Sequence, residues 1–553
     1  RRDGNPDSAM NYQNKPLLGN VGPIGSMFQA EDGARSDILD RVRRCCSLTK
    51  PWLEPPLGQT ANDKLPETYQ SVGSRGVNNL EGKMLMDLWP LEQSWFQLLP
   101  SAEIRFDQEV ISGQPDKLQA VYDKLFLMEL LIQAKLESAS LTSGSPFGDN
   151  RSGFRSRKRM ALSYIIVTGD TLEQLTDEYR VKVFRRSQYT TMRDSSGDVL
   201  HHTVCEAIDP LALSEDQQSK TEFNIAELKE KRAHERLCHI YTLVEWQPWT
   251  RKWVITQEVN GKEIVVTEEP ISPFFSTPYE LSPGENYGRG LVELNLGDMT
   301  SLNELCKRRL DLFGLATKGL VALDYAARVT EKDLTKPPGS VIRARVTDGK
   351  AMDVGVVQFN VSMESQLLSN GIETIGNSLG KAMMIESETA PRGEAGRSPV
   401  AWQRTAIEID GATSGAYAPI ADNQQVPLIK RCMYQLSRDK LIPAINPKLV
   451  EIRALTGISA MGREVQARKL LDYTQVAAAL GEEAIARVNK GVLMQVLARY
   501  RGINEPGLIR TDEEMNAIQQ QQMAMQAQAQ AAEQAISTTG AVVENAAAQS
   551  AVR

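Results

Sequence analysis

Residues 291–400 constrain this chain more than any other stretch, because their pattern predicts a helix, a compact insert, a second helix and a loop rich in Gly, Pro, Ser and Arg. The apolar residues of the first helix recur every three or four positions, or at multiples of these, as on one helical face. They are Met299, Leu302, Cys306, Phe313 and Leu320. Thr300 and Ser301, followed by Glu304, supply capping chemistry near the start of this helix.

The second predicted helix carries a cleaner apolar stripe. Its members are Leu368, Ile372, Ile375, Leu379 and Met383. Three glycines run beside the stripe: Gly371, Gly376 and Gly380. Each glycine inside a helix costs about 0.5–1 kcal/mol relative to alanine, so three of them call for a reason. Close approach of a neighbouring helix is one reason, and an ordinary flexible helix is the alternative.

The composition is that of a soluble globular protein, since hydrophobic residues make up 41% and charged residues 24% of the 553 residues. A chain of this length is expected to divide into several domains. Its net charge of −7 argues against a protein that coats nucleic acid, but not against one that lets nucleic acid slide past. No run approaches the roughly 18 apolar residues that span a bilayer. The scattered cysteines suit a reducing cytoplasm and predict no disulfide framework.

The N-terminal third is predicted to be helical after an extended arm. Residues 1–30 are rich in Asn, Gly and Pro and are interpreted as that arm. Helices are expected at about 31–48, within 68–99 and at about 115–138. Residues 143–159 carry five basic side chains, which we interpret as a solvated loop leading into a helix; contact with phosphate is the alternative.

From about residue 161 to 278 the apolar period changes to two, which predicts strands. The expected strands are Tyr164–Val167, Val181–Phe184, Cys238–Trp246, Lys252–Val259 and Glu263–Thr267. Asn260-Gly261 between the last two is a typical hairpin turn.

The insert and the C-terminal part give four further predictions. Residues 319–359 are expected to form a small α/β module with short β-type runs at Gly319–Leu323, Ser340–Ala344 and Val354–Phe359. A long helical segment at 401–440 contains Gly411, Gly415, Pro419 and Pro427, so we expect kinks or two pieces. Residues 457–502 predict two further helices. The Gln- and Ala-rich residues 511–553 are expected to be either disordered or stabilised by identical copies beside them.

No motif for nucleotide or acyl chemistry is recognisable. A P-loop needs Gly-Lys followed by Ser or Thr, because that hydroxyl holds Mg²⁺, and every Gly-Lys pair here is followed by Met, Glu or Ala. The G-x-S-x-G elbow of hydrolases is missing. We therefore predict no enzyme, no catalytic residue and no cofactor; an oligomeric enzyme on an α+β scaffold is the alternative with the least support.

A zinc site is the one metal alternative that the sequence offers. Its ligands would come from His201, His202, Cys205, His234, Cys238 and His239. Cys238 and His239 are adjacent in a predicted strand, so they point to opposite faces. The paired spacing of a zinc knuckle is also missing, and we predict no metal.

Two arginines stand out in the loop after the second helix. Arg392 and Arg397 lie among glycines and prolines within residues 386–400. A plain surface loop is one interpretation. In a ring of copies the same loop could project two positive charges per copy toward an axis where a DNA backbone passes.

Three groups of residues, in the same order over most of the chain, resemble one protein family. They are the run Tyr69–Leu80 with Leu85 and Trp89-Pro90; the run Tyr287–Gly290 with Leu296–Asp298 and Leu302–Glu304; and Thr456–Ile458 with Ala460–Arg463 and a Gln/Met-rich tail after Thr511–Glu514. These are similar to the portal, or head-to-tail connector, proteins of short-tailed bacteriophages. Residues 1–30 and the short segment between Cys46 and Tyr69 depart from the family pattern.

The resemblance implies an α+β fold, mainly α: the portal fold, assembled as a ring of twelve copies around a DNA channel. It divides the chain as follows: 1–30 N-terminal arm, 31–290 wing, 291–318 first stem helix, 319–360 clip, 361–386 second stem helix, 387–400 tunnel loop, 401–456 wing and long helix, 457–510 crown, and 511–553 a helical tail or barrel.

The resemblance also implies a function. The ring would sit at one capsid vertex as the channel for packaging and ejecting double-stranded DNA, and would dock the terminase large subunit and then the tail adaptor. Further expected partners are the major capsid, scaffolding and internal core proteins, with no membrane. The expected location is the head–tail junction of the virion, after assembly in the host cytoplasm. The alternative is a ring-forming structural tail or adaptor protein that is not itself the packaging portal.

Three sets of site residues follow from placing these regions on the sequence. In the tunnel loop, Arg392 and Arg397 would make transient contact with DNA inside an otherwise repelling wall. In the clip, Arg343, Arg345 and Lys350 would serve subunit or partner contacts. The stem would pack between subunits through Leu368, Ile372, Ile375, Leu379, Gly371, Gly376 and Gly380.

Overall fold

The structure is a computed structural model in which most of the chain can be described. The described residues are 18–90, 94–105, 115–138, 153–232, 235–318, parts of 320–357, 362–383, 418–443, 449–455, 458–481, 488, 490–501 and parts of 518–526. They fall into two compact units, Arg1–Gly457 and Ile458–Arg553. The described residues combine helices and strands and are mostly helical, in agreement with the predicted α+β class.

The first unit alternates helical and β-rich stretches. Its helices are α1 (Pro23–Ala34), α2 (Ser36–Ser47), α3 (Val72–Leu88), α4 (Ala102–Arg105), α5 (Pro115–Ser138), α6 (Phe154–Thr168), α7 (Glu215–Lys220), α8 (Ile225–Glu230), α9 (Leu291–Leu294), α10 (Leu296–Lys318), α11 (Ser362–Ala382) and α12 (Val426–Arg438). Its strands are β1 (Phe96–Pro100), β2 (Asp170–Leu175), β3 (Val181–Phe184), β4 (Tyr189–Arg193), β5 (Val199–Ile208), β6 (Cys238–Gln247), β7 (Lys252–Val259), β8 (Lys262–Glu269), β9 (Phe274–Pro278), β10 (Leu320–Leu323), β11 (Val346–Thr347), β12 (Lys350–Ala351), β13 (Val354–Val357) and β14 (Val450–Ala454).

An antiparallel five-stranded sheet, in the order β4-β5-β6-β7-β8, is the largest sheet among the described residues. Asn260 and Gly261 join β7 to β8 with φ values of 52° and 72°, the left-handed conformation of a type I′ hairpin turn. The predicted Asn-Gly turn is therefore confirmed. A three-stranded sheet, β3-β2-β9, lies beside the main helical core.

Helix α6 corrects one strand prediction. Residues 164–167 were expected to form a strand, but they lie inside α6, whose residues from Ala161 to Thr168 are all buried. A helix that is buried on every side shows a continuous apolar run, and such a run does not distinguish a helix from a buried strand. The first turns of the same helix are mostly basic, so they do not show the apolar spacing of three or four residues that identifies a helix.

Helix α1 corrects the predicted N-terminal arm. The extended arm is wrong for residues 23–30, which are helical; residues 1–17 lie outside the described part. Pro23 occupies the first helical position, but Gly22 supplies no capping side chain. The cap comes instead from Glu258 on β7, whose carboxylate accepts N–H bonds from Gly22 (3.0 Å), Ile24 (2.9 Å) and Gly25 (3.2 Å). A cap from a residue so distant in sequence leaves no local signal.

Replacing Glu258 by alanine is expected to lower the free energy of unfolding by about 2–3 kcal/mol, because three N–H groups at a helix N-terminus lose their charged acceptor. Chemical denaturation measures the change. Glu263→Ala, at an exposed position of the neighbouring strand, is the control and should change stability by less than about 0.5 kcal/mol. Equal effects of the two substitutions would contradict the capping role.

The end of the first unit confirms the interruption expected in the long helical segment. Residues 401–417 lie outside the described part. From there a π-helical turn, Ala421–Gln425, leads into α12, in which Pro427 lies near the start. Proline removes a backbone donor, and π-helical turns are a recognised cause of helix kinks. Among its described residues, the segment contains a π-helical turn directly before α12.

The second unit contains two helices among its described residues, α13 (Ile458–Ala479) and α14 (Lys490–Arg501). This agrees with the prediction of two helices within 457–502. The described residues of the Gln- and Ala-rich tail, within 518–526, are also helical.

Candidate functional site

The predicted first stem helix, Leu291–Lys318, is two helices rather than one. A break at Asn295 separates α9 from α10, and the Asn295 side chain donates to the carbonyl of Leu291 at 2.9 Å. Asparagine competes for backbone carbonyls in this way, which explains why it ends the short helix. The predicted second stem helix, Val361–Glu386, is α11 at Ser362–Ala382; residues 384–386 lie outside the described part.

The predicted apolar stripe of α11 faces the chain's own core. Leu379 is buried, and Ile372 and Ile375 pack half-buried against the same core. Leu368 is also half-buried. On α10, Met299, Leu302 and Cys306 belong to this core. The stripe therefore joins α10 and α11 to the rest of the first unit, and Leu379 needs no neighbouring subunit to cover it.

The glycines beside the stripe differ in what surrounds them. A Cβ at Gly371 would lie 3.6 Å from Leu305 Cδ1 on α10, an ordinary contact, and Gly380 is buried. A Cβ at Gly376 would meet no atom of the chain within 4 Å. The chain's own packing therefore does not require a glycine at 376, although a helical glycine costs about 0.5–1 kcal/mol.

Large apolar side chains are exposed on α10 and α11 near the insert. Leu310 on α10 is 53% exposed, and Met363 and Leu367 on α11 are 73% and 67% exposed. The sequence pattern did not single out these three residues, and Phe313, which it placed on the apolar stripe of the first helix, is 45% exposed.

One ion pair joins α9 to the N-terminal helix α2. Glu293 on α9 pairs with Arg41 of α2 at 3.0 Å and with Arg289 at 3.4 Å. Arg289 also pairs with Glu285 at 2.7 Å. These residues line a cavity of about 320 Å³ beside α2. Glu285 and Glu293, which line this cavity, are both paired with arginines and leave no unpaired negative charge there.

The insert forms two small antiparallel pairs. Strand β10 pairs with β13 from Leu320↔Val357 to Leu323↔Val354, and β11 pairs with β12. The first and third predicted β-type runs are thus confirmed. The middle run, Ser340–Ala344, is wrong where it can be checked: Val341 and Arg343 are not in a strand, and the nearest strand begins at Val346.

The predicted clip and tunnel-loop residues are only partly described. Arg343 is exposed, and Lys350 lies in β12 opposite Thr347. Arg345 lies outside the described residues, as do Arg392, Arg397 and the whole of the predicted tunnel loop. Their roles stay predictions.

Three of the five basic side chains before the β-rich region have partners within the chain. Lys158 pairs with Glu173 at 2.5 Å, and both side chains are fully buried. Arg159 binds Glu81, and Arg155 donates to the carbonyl of Trp89. Residues 154–159 are thus part of a helix that packs in the core, which argues against contact with phosphate there.

Two of the candidate zinc ligands have other partners, and Cys205 lies 3.3 Å from His239, another candidate. His201 lies 2.7 Å from Glu31, and His202 shares a hydrogen bond with Thr191. Burial lowers the pKa of His202 to about 3 and raises the pKa of the Cys205 thiol to about 12, whereas zinc requires a thiolate. His234 lies outside the described residues, and among those described no three acidic, Cys or His side chains are close enough to hold a metal.

Comparison with known proteins places the chain in a family. Residues 23–509 match the family described as Bacteriophage head to tail connecting protein. The chain belongs to this family. The match begins at the first residue of α1 and continues through α9, α10, α11, the insert between α10 and α11, and both α13 and α14. No helix among the described residues of this connector-family chain is long and apolar enough to cross a membrane.

Individual relatives agree with the family match. The chain is 27% identical over 513 residues to a protein named Portal protein from Enterobacteria phage T3, with 89% of this chain and 91% of the relative covered. It is 26% identical to the Portal protein of Escherichia phage T7, covering 90% and 91%. A solved structure titled "Virion of native gene transfer agent (GTA) particle" aligns with a TM-score of 0.34 and 10% identity over 87% of this chain and 95% of that one. A likeness that distant carries no argument here.

Proposed function

We propose that this chain is the portal of a short-tailed bacteriophage: a ring at one capsid vertex through which double-stranded DNA enters during packaging and leaves during ejection. The family match over residues 23–509 carries the proposal, together with relatives named Portal protein that align over about nine-tenths of the chain. We assign the virion's head–tail junction as its location, reached after assembly in the host cytoplasm.

The proposed architecture follows the helix–insert–helix. The stem is α9, α10 and α11, the clip is the insert with β10–β13, and the crown is α13 with α14. Copies, twelve in number, are proposed to pack side by side through the outer faces of the stem. The exposed side chains of Leu310, Met363 and Leu367 support this packing. Gly376 supports it as well, because no contact inside the chain requires a glycine at that position.

We propose different partners for the two ends of the channel. The clip, with Arg343, Arg345 and Lys350, would meet the terminase large subunit during packaging and the tail adaptor afterwards. The other end and the wing would meet the major capsid, scaffolding and internal core proteins. Exposed Arg343 supports a contact role for the clip, because arginine is enriched in protein interfaces.

The proposed mechanism is weak and transient contact with DNA. A channel that gripped phosphates strongly would arrest the polymer, so an overall acidic chain with a few arginines suits passage better than a basic one. We assign this contact to Arg392 and Arg397.

Reversing both charges, Arg392→Glu with Arg397→Glu, is expected to leave ring formation intact and to lower the amount of DNA packaged and retained several-fold. Nuclease-protected DNA per particle measures this. Arg251→Glu, at the exposed turn between β6 and β7, is the matched control and should behave as wild type. Unchanged DNA length and retention in the double variant would remove the two arginines from the mechanism.

A packaging reaction tests the function itself. Empty capsids of the same phage should fill with nuclease-resistant DNA only when this chain is part of the particle. Capsids that fill without it, and merely fail to keep DNA or attach a tail, would instead support the structural tail or adaptor protein.

A further inference from the structure

One side of α11 is exposed and carries no charge over about four turns. Its exposed residues recur every three or four positions, as on one face of a helix. They are Met363, Gln366, Leu367, Asn370, Thr374, Asn377 and Ser378, which we call the uncharged face. Glu364 and Glu373 lie at its borders, and Lys381 lies beyond its end. The solvent side of a helix usually carries charged residues, whereas charges are depleted at the centre of protein interfaces.

The outward side of α10 has the composition of an ordinary solvated helix. The exposed residues there are Glu304, Lys307, Arg308 and Asp311. On the uncharged face of α11, by contrast, the hydroxyl of Thr374 donates to the carbonyl of Asn370 at 2.8 Å. That hydroxyl keeps its partner when water is removed, so covering it costs little. The uncharged face is therefore suited to burial, and the outward side of α10 is not.

The exposed apolar residues of α10 and α11 lie at matching levels along the two helices. Strand β10 follows α10 and pairs with β13, which precedes α11, and Gly371 of α11 lies beside Leu305 of α10. The two helices are therefore antiparallel, and each residue advances its helix by about 1.5 Å. Counted from that contact toward the insert, the exposed apolar residues at nearly equal levels are Leu310 with Leu367, and Phe313 with Met363. Copies related by rotation about an axis parallel to these helices share the same levels.

We infer that the uncharged face of α11 is covered by α10 of the adjacent copy in the ring, an inference that rests on the proposed function. Leu310 and Phe313 of the adjacent copy then cover the apolar end of the uncharged face. A hydrated DNA duplex would give apolar side chains nothing to pack against, so their exposure favours a protein neighbour. The contact is heterologous, because each copy places α11 on one neighbour and receives the α11 of the other. Gly376 lies on a different side of α11, so Gly376→Leu probes a separate part of the subunit contact.

Chemical labelling of a single thiol tests this contact in assembled rings. All six native cysteines are buried, so a cysteine introduced at the surface is the one that reacts readily with a maleimide. Thr374→Cys should react roughly tenfold or more slowly than Asn78→Cys, whose position on α3 is also exposed in the single chain. Equal rates would overturn the proposal, because a face that lines an open bore or meets solvent stays accessible to so small a reagent.

Added charge tests the same face through assembly. Asn370→Lys combined with Asn377→Lys is expected to lower the ring fraction by roughly tenfold or more, because two ammonium groups would be buried without partners. Lysine is a better helix former than asparagine, so the single chain should fold as wild type. Asn78→Lys is the matched control and should assemble normally.

Two outcomes of the charge test would also overturn the proposal. Normal rings that package less DNA would place the uncharged face in the channel, and normal rings with normal packaging would leave it in solvent. Should the lysine variant fail to fold, the labelling rates decide. A wild-type chain that forms no ring would contradict the proposed function itself, whereas rings in which Thr374→Cys reacts freely contradict this contact alone.

Discussion

Glu173→Ala should destabilise the first unit by about 3–5 kcal/mol, because it leaves the Lys158 ammonium buried without its counter-charge. The two side chains lie 2.5 Å apart with no exposure, and Gln424 donates to the other oxygen of Glu173. Burial lowers the pKa of Lys158, and the attraction of Glu173 opposes that effect. Chemical denaturation of wild type and variant at pH 7 measures the difference.

The pH dependence of the stability of Glu173→Ala gives a second test of the buried ion pair. Without Glu173, the pKa of Lys158 in the folded chain falls further below its unfolded value, so the unfolded chain binds more protons. Stability of Glu173→Ala should therefore rise as pH increases through the window between the folded and the unfolded pKa of Lys158. A variant that became less stable across that window would contradict this explanation.

Two controls separate burial from charge. Lys252 and Glu268 form an exposed pair at 3.0 Å, and Glu268→Ala should change stability by no more than about 1 kcal/mol. Lys158→Met combined with Glu173→Gln removes both charges while keeping the volume and the acceptor for Gln424. Because neutral replacements of a buried pair are often tolerated, this variant should recover most of the loss. A double variant as unstable as Glu173→Ala would mean that packing, not charge, dominates.

Gly376→Leu should weaken ring assembly without harming the single chain. The position has free space within the chain, and leucine is a better helix former than glycine, so the isolated subunit should be as stable as wild type or slightly more stable. In the proposed ring the added side chain would enter the neighbouring subunit's space. Overpacking costs about 1–3 kcal/mol, and each 1.4 kcal/mol is tenfold in association, so the ring fraction should fall by roughly tenfold or more.

Native mass spectrometry at a fixed subunit concentration measures the ring fraction. Gly82→Leu on α3, where the space is equally free, is the matched control and should assemble as wild type. Rings of normal abundance from Gly376→Leu would exclude this face of the second stem helix from the subunit contact.

The sequence predicted best where periodicity and turns are local. Helix α5 was expected at about 115–138 and is Pro115–Ser138, and the strand Val181–Phe184 and the Asn260-Gly261 turn were also correct. Strand β2 was missed because it buries the polar Asp170, Thr171 and Glu173, which hide the alternation. Their partners lie elsewhere in the chain, such as Tyr189 for Asp170, so burial of these side chains depends on tertiary structure.

In the candidate site, too, local patterns were predicted correctly and contacts between distant residues were not. The apolar stripe through Ile372 and Leu379 gave the buried face of α11 correctly, because a helical face can be recognised from spacing alone. Two features needed coordinates: the cap of α1 by Glu258 and the contact of Gly76 with Met383. Each joins residues more than 200 positions apart, and no local pattern records such a pairing.

End-on electron microscopy of the purified full-length protein is the most direct measurement of the central claim, that identical copies stand side by side and enclose a passage for DNA. Class averages should show a closed ring of one rotational symmetry with an open bore wide enough for a duplex. A chain that stays monomeric alone and with its capsid proteins, or a particle whose centre is filled, would contradict it.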